Sequence, residues 1–439
     1  MRVFLQELRK IFRPVPVLLL TGVVAIYSLV LFALPYSWLT EAHNTSDSMA
    51  VARDLIPLCG LTVEPGELPP AAETLRLRYW ADLEAAITAD PGCAAIGVTD
   101  AESYCVLKWK KLHLDFSGED MTDEERSELF QAWAGWYYEE LRDTLEAITD
   151  YSLTPEQISF LAMNFLDDCT KGAANRLTVL YEAYNEFRLE EAESIAAAID
   201  SWETPQYLNA HVKRLIAEQA AHASVWTYTL DIRAALVAQL LAVLIVLSLA
   251  VLLAPVLTKD NMQNLRQLQY ASKTGRRTLR AQLWAMLAAA GLVAGIEIAG
   301  ALGFFSRFVW REFLPVKMNS AFALGTYYWY TGTFRGWLWA VAGMLLLSAL
   351  FAACVIFLLS KAGKNYISLL LAVLPAAAGM GVAGVLLNAM PLGITGSVDY
   401  YVGILRLPMA EAWIGLALLA VGGALAGLTL KRNRKADVL

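Results

Sequence analysis

Residues 232–257 read IRAALVAQLLAVLIVLSLAVLLAPVL, 26 positions with a single charge, Arg233, at one end. A helix rises 1.5 Å per residue, so this run is longer than the roughly 30 Å hydrocarbon core of a bilayer. It reads as a transmembrane helix. Working outward, runs of the same character recur at 15–37, 281–304, 336–360, 366–388 and 411–430, which predicts six spans. The whole chain has 439 residues and is 57% hydrophobic, above the roughly 45–50% usual for soluble proteins. A basic segment precedes the first run, but that run is long for a signal peptide and no small-residue cleavage site follows it. It reads as a retained helix.

Charge orients the spans, because Lys and Arg accumulate in cytoplasmic loops. Sixteen basic residues fall in four short segments: 1–14, the loop 258–280, the link 361–365 and the tail 431–439. With those segments inside, both termini are cytoplasmic and 38–231, 305–335 and 389–410 lie outside. The aromatics Tyr327, Tyr328, Trp329, Tyr330, Trp337 and Trp339 then fall at an interfacial belt.

The outside insert has its own composition. Residues 39–228 carry 34 acidic and 13 basic side chains, a net −21, while the other 249 positions carry 8 acidic and 22 basic, a net +14. Its patterns are helical. Thr122 with Glu125 forms a capping box, in which hydroxyl and carboxylate exchange hydrogen bonds with each other's amides. Leu129, Phe130, Trp133, Trp136, Tyr137, Leu141 and Leu145 follow at helical spacing. Thr154-Pro155-Glu156-Gln157 opens another helix, with proline at the first position where no amide donor is missed. The expected fold is therefore an all-α polytopic membrane protein: six transmembrane helices plus a mainly α-helical extracellular domain at 38–231. Cys59, Cys93, Cys105 and Cys169 lie in that domain. They fit one or two disulfides in an oxidising exterior, or four ordinary thiols.

Catalytic signatures are missing. Gly363-Lys364 is followed by Asn365 and lacks the upstream glycine of a phosphate-binding loop. No H-E-x-x-H or G-x-S-x-G occurs, and the spacing of His211 and His222 is too long for a shared metal. The chain is expected to bind no cofactor, metal or nucleic acid itself, and not to be an enzyme.

Two cytoplasmic segments carry more information. Residues 2–13, RVFLQELRKIFR, place Phe4, Leu8, Ile11 and Phe12 on one helix face, with Arg9, Lys10 and Arg13 around the other. Such a helix lies in a membrane interface, or serves simply as a positive-inside anchor. The loop 258–280 reads TKDNMQNLRQLQYASKTGRRTLR. A short helix near 260–271, with Met262, Leu265 and Leu268 apolar, meets a turn at Ser272–Gly275. Arg276, Arg277 and Arg280 then lead into the third span.

The order of basic amphipathic helix, span, large outside insert, span, acid-bearing loop helix and S-K-T-G-R-R turn resembles ABC-2-type ABC transporter permeases of Gram-positive bacteria. The resemblance implies a permease subunit, an exporter by expectation, in the bacterial cytoplasmic membrane. It implies a second permease copy or a paralogue as dimer partner, and separate cytosolic ABC ATPase subunits that bind ATP and Mg. Asp260 stands at the family's acidic position, and Lys273, Thr274, Gly275, Arg276 and Arg277 match its turn. With Leu265 and Leu268 these would form the ATPase contact. Asn261, Gln263 and Asn264 depart from the more acidic family pattern.

Glu297 sits about 22 Å along the third span from its inner edge, where an unpaired carboxylate is costly and hence a functional candidate. Pairing with Arg307 or Arg311 would make it structural. In the fifth span Pro375 precedes Ala376, Gly379, Gly381, Ala383 and Gly384, residues that permit close helix approach. A membrane sensor with a ligand-binding outside domain is the main rival reading. Short inner segments leave it no output domain.

Overall fold

Proline at position 14 divides the start of the chain into two helices in the computed structural model, which describes residues 2–40, 43–64, 66–115, 122, 125, 136–162, 170, 172–184, 210–215, 217, 223–225, 230–262, 275–318, 320, 328–362, 366–388, 392–393 and 408–435. The helix α1 (Arg2–Ile11) stops just before it, because the residue ahead of a proline is disfavoured in helical geometry. Pro14 then opens α2 (Pro14–Thr40), where its missing amide costs nothing. The two axes differ by 50°.

The described helices that follow are α3 (His43–Cys59), α4 (Leu68–Ala89), α5 (Pro91–Ala95), α6 (Ala101–Asp115), α7 (Trp136–Glu146), α8 (Pro155–Ala162) and α9 (Ala173–Tyr184). Then come the long α10 (Leu230–Met262), α11 (Gly275–Phe308) and α12 (Phe334–Ala362), and finally α13 (Tyr366–Leu387) and α14 (Ala410–Lys435). One two-residue ladder, β1 (Thr62–Val63) with β2 (Ala223–Ser224), is antiparallel. The contacts divide the chain into two units: 1–37 with 231–318 and 326–439, and 38–230 with 319–325.

In the first unit four helices are long and apolar enough to cross a membrane: Leu230–Val256, Thr278–Phe308, Phe334–Lys361 and Ala410–Arg432. The bent pair α1–α2 supplies a fifth if it counts as one span. The chain is an α-helical multi-pass membrane protein. The remaining expected span, 366–388, fifth in chain order, is a helix whose apolar part, Leu371–Leu387, is shorter than the others. Gly384 on it faces Ala242 of α10 so closely that an added Cβ would lie 3.0 Å from the Ala242 methyl, the close approach that small residues allow.

The aromatic segment does not form a uniform belt. Tyr328, Trp329 and Trp337 are buried, and Trp339 alone of the described set is 75% exposed. Trp337 stacks on Phe334, Phe334 meets Trp310 edge-on, and Trp310 stacks on Phe305, with centroids 5.7, 5.6 and 5.1 Å apart. Aromatic burial is worth more here than an interfacial position, since each ring hides a large apolar area against another ring. Main-chain bonds hold this cap shut: Phe334 N to Val316 O at 2.8 Å and Met318 N to Gly332 O at 3.0 Å.

The second unit is built on α3, α4 and α9. These helices pack on one another, and they bury Val51, Ala52 and Leu55 of α3, Leu75, Tyr79 and Leu83 of α4, and Ala174, Leu177 and Leu180 of α9. A smaller cluster joins Trp109 and Leu112 of α6 to Leu145 of α7. The expected capping box is formed, and the predicted helix start at Thr154 closes a second one with Gln157. Thr122 N donates to Glu125 at 2.9 Å and Glu125 N to Thr122 Oγ1 at 3.2 Å. Thr154 N donates to Gln157 Oε1 at 3.0 Å and Gln157 N to Thr154 Oγ1 at 3.2 Å. Of the apolar series, 129, 130 and 133 lie outside the described residues, and Trp136 opens α7. Cys59, Cys93 and Cys105 are buried and no disulfide joins them, and Cys169 lies outside the described residues. Burial pushes the Cys105 thiol far above its ordinary range, which leaves it an inert core side chain.

Candidate functional site

The basic loop is flanked by helices that run past their apolar stretches. α10 continues through Asp260 to Met262, and α11 begins at Gly275, so Gly275, Arg276 and Arg277 form its first turn rather than a preceding turn. Leu265, Leu268, Lys273 and Thr274 lie outside the described residues. At 33 and 34 residues, the two helices run without interruption from the loop side to the far ends of the spans, α10 with Pro255 inside it near the loop end, where one main-chain hydrogen bond is missing. α-Helical hydrogen bonding makes such rods stiff along their axes.

The helix α1 packs against α11. Its buried stripe is Glu7 and Ile11, with Phe4, Leu8 and Phe12 half-buried and Arg9 exposed. The apolar face that the sequence offers to a membrane interface is thus used in part on a neighbouring helix. Glu7 lies inside that stripe, its Oε1 accepting from Lys10 Nζ at 2.8 Å. Phe4 shares a cleft with Arg280, Ala281 and Trp284 of α11, which puts α1 beside the root of the basic loop.

Glu297 pairs with neither Arg307 nor Arg311. Its Oε1 accepts a hydrogen bond from Ser248 Oγ of α10 at 2.6 Å, and its Oε2 is buried without a hydrogen-bond partner among the described residues. Ser248 stands deep inside the run 232–257, so the pairing sets Glu297 nearer mid-depth than counting along its own helix suggests. A serine in an apolar run carries no pattern of its own, and the sequence gives no signal that these two residues meet. Ser248→Ala is expected to remove the polar link between α10 and α11 and lower stability by about 1 kcal/mol, the scale of interhelical bonds in membranes. Glu297→Gln keeps an acceptor and is expected to stay near wild type. Heat or SDS unfolding in detergent reads the difference, and coincident curves for wild type and Ser248→Ala would show the bond to be idle.

A further buried acid leaves no signal in the sequence pattern. Asp231, at the start of α10, accepts a hydrogen bond from the Tyr328 hydroxyl. Burial, with the Asp231 charge, holds that phenol well above its ordinary pKa, so it stays a donor. Tyr328 bridges Gly393, and Trp329 N donates to Leu392 O at 2.9 Å. The connection before α12 and the one after α13 are thereby tied to the end of α10.

Between α10, α12, α13 and α14 lies a cavity of about 320 Å³ lined by Ala242, Ile245, Leu345, Gly379, Met380 and Leu418 among others. Its one hydroxyl, Ser348, donates to Met344 O at 3.0 Å. Such a lining excludes water and ions and suits apolar matter. No group of three or more His, Cys, Asp or Glu side chains is placed to hold a metal among the described residues. No family model matches this chain, and neither the curated proteins nor the solved structures contain a significant match to it.

Proposed function

We propose that this chain is the permease subunit of an ABC-2-type transporter, an exporter, with six spans and both termini cytoplasmic. In this reading it resides in a bacterial cytoplasmic membrane as a dimer with itself or a paralogue. The acidic unit at 38–230 is extracellular, and α13 counts as the sixth span. Its 17 apolar residues, Leu371–Leu387, reach about 26 Å, short of an average bilayer by an amount that local thinning accommodates.

The observation that carries the proposal is the pair of rods α10 and α11 meeting at the 258–280 loop, with α1 packed beside the root of α11. A cytosolic ATPase pressing on that loop would move α11 as a whole, since no proline interrupts it, and would move α10 through its one weak point at Pro255. Asp260, Leu265, Leu268, Lys273, Thr274, Gly275, Arg276 and Arg277 are the proposed contact, and ATP and Mg belong to the partner. α2 and α14 present exposed apolar side chains, among them Leu18, Ile26, Trp413 and Val421, surfaces for lipid or for the second permease copy.

The test is a mild-detergent pull-down of the tagged chain expressed with its native operon, with partners identified by mass spectrometry. Recovery of an ABC ATPase by wild type, and its loss in Arg276→Glu with Arg277→Glu, is the expected result. Recovery of no ATPase from an intact membrane complex overturns the proposal and favours the sensor reading.

A further inference from the structure

The cleft between α1 and the first turns of α11 has a polarity gradient along a membrane-spanning helix. Arg280 stands at the loop end. Trp284, one turn further, is 55% exposed, and Leu287 and Ala288 line the next turn, with Phe4 of α1 forming the opposite wall. The cleft measures about 730 Å³. Arg280 is exposed and makes no hydrogen bond or ion pair with any described residue. On α1, Lys10 is held by Glu7, while Arg9 and Arg13 are exposed and form no ion pair among the described residues. The one charged side chain lining the cleft is therefore the Arg280 guanidinium, and the rest of the lining is apolar or aromatic.

We propose that this cleft is a binding site for an anionic phospholipid of the surrounding bilayer. Each part of the amphiphile meets a matching part of the cleft. The phosphate takes Arg280, whose planar fork donates two parallel hydrogen bonds to phosphate oxygens. The glycerol and ester region lies at the level of Trp284, an aromatic suited to the headgroup boundary. One acyl chain runs down Leu287 and Ala288. A free phosphate would use only the first of these, and a zwitterionic lipid brings an ammonium that the basic rim opposes. The inference needs only that α11 crosses the bilayer, and it stands or falls apart from the ATPase reading. The lipid would act as a wedge that fixes α1 against α11 beside the basic loop.

Native mass spectrometry of the full chain, released from nanodiscs of equimolar phosphatidylcholine and phosphatidylglycerol, tests it. Wild type is expected to retain phosphatidylglycerol in preference. Arg280→Gln should lower that retention about fivefold, the effect of one interfacial basic residue, and Arg280→Lys should fall between. Lys431→Gln, an exposed cation at the end of α14, is the matched control and should leave retention unchanged. Trp284→Ala should lower retention of phosphatidylglycerol without a change of charge. Equal retention of the two lipids by wild type, an Arg280→Gln protein that matches the Lys431→Gln control, or displacement of the lipid by inorganic phosphate alone would each overturn the proposal.

Discussion

Asp47→Ala is expected to cost the 38–230 unit about 3 kcal/mol, the largest loss from any single charged residue in it. The carboxylate is 4% exposed and lies at the start of α9. It accepts from Asn175 Nδ2 at 2.9 Å and from Arg176 Nε at 3.1 Å. Gly172 passes over it with φ +78°, so near that an added Cβ would fall 2.6 Å from Oδ1. Three costs follow from the truncation. The Asn175 amide loses its acceptor, Arg176 loses its counter-charge, and the positive end of α9 loses a facing anion. Breaking a buried pair by removing one partner costs about 3–5 kcal/mol. The lower end applies because the Arg176 side chain is 29% exposed and water takes over part of its solvation. Asp47→Asn, which keeps shape and one acceptor, is expected to lose less. Chemical denaturation followed by limited proteolysis of this unit measures both. An Asp47→Ala protein within about 0.5 kcal/mol of wild type, the range of neutral surface changes, would refute the assignment.

The legible parts of this fold share one property: their cause is local in sequence. A run such as 232–257 must be a helix in lipid whatever surrounds it, because its backbone polar groups have no other partner. Thr122 with Glu125 and Thr154 with Gln157 are three residues apart, so each box closes within one turn. The break before Pro14 is equally local. The unread parts depend on what meets what. Ser248 and Glu297 are paired across two helices, Asp231 and Tyr328 across most of a hundred residues, and neither pair leaves a periodic trace. Tyr328 and Trp337 have the composition of an interfacial belt, but they pack edge-on against each other, and Trp337 stacks on Phe334, which in turn meets Trp310. The same holds for α1. Its apolar stripe predicts a face, and only α11 decides what covers it.

Trp310→Ala is expected to cost about 3–5 kcal/mol, the range for removing a large aromatic from a core, and to release the far ends of α11 and α12 from each other. Trp310 is 0% exposed, and its amide bonds Phe305 O at 2.8 Å, closing the chain back on α11 as the helix ends. Its ring stacks on Phe305 of α11 and meets edge-on Phe334, the first residue of α12. Alanine at this position removes the middle of the series and leaves a cavity too confined for its walls to close, since Phe305 and Phe334 are each fixed by a long helix. Trp339→Ala is the contrast: the same residue type, 75% exposed, expected to change stability little. Hydrogen exchange at the main-chain bonds Phe334 N to Val316 O and Met318 N to Gly332 O would report the outcome beyond stability, rising in Trp310→Ala and not in Trp339→Ala. If α11 is a lever driven from the 258–280 loop, it passes force to α12 only while their far ends are tied. Trp310→Ala should then uncouple any ATPase that the pull-down recovers, leaving its binding intact while the substrate-linked stimulation of hydrolysis is lost.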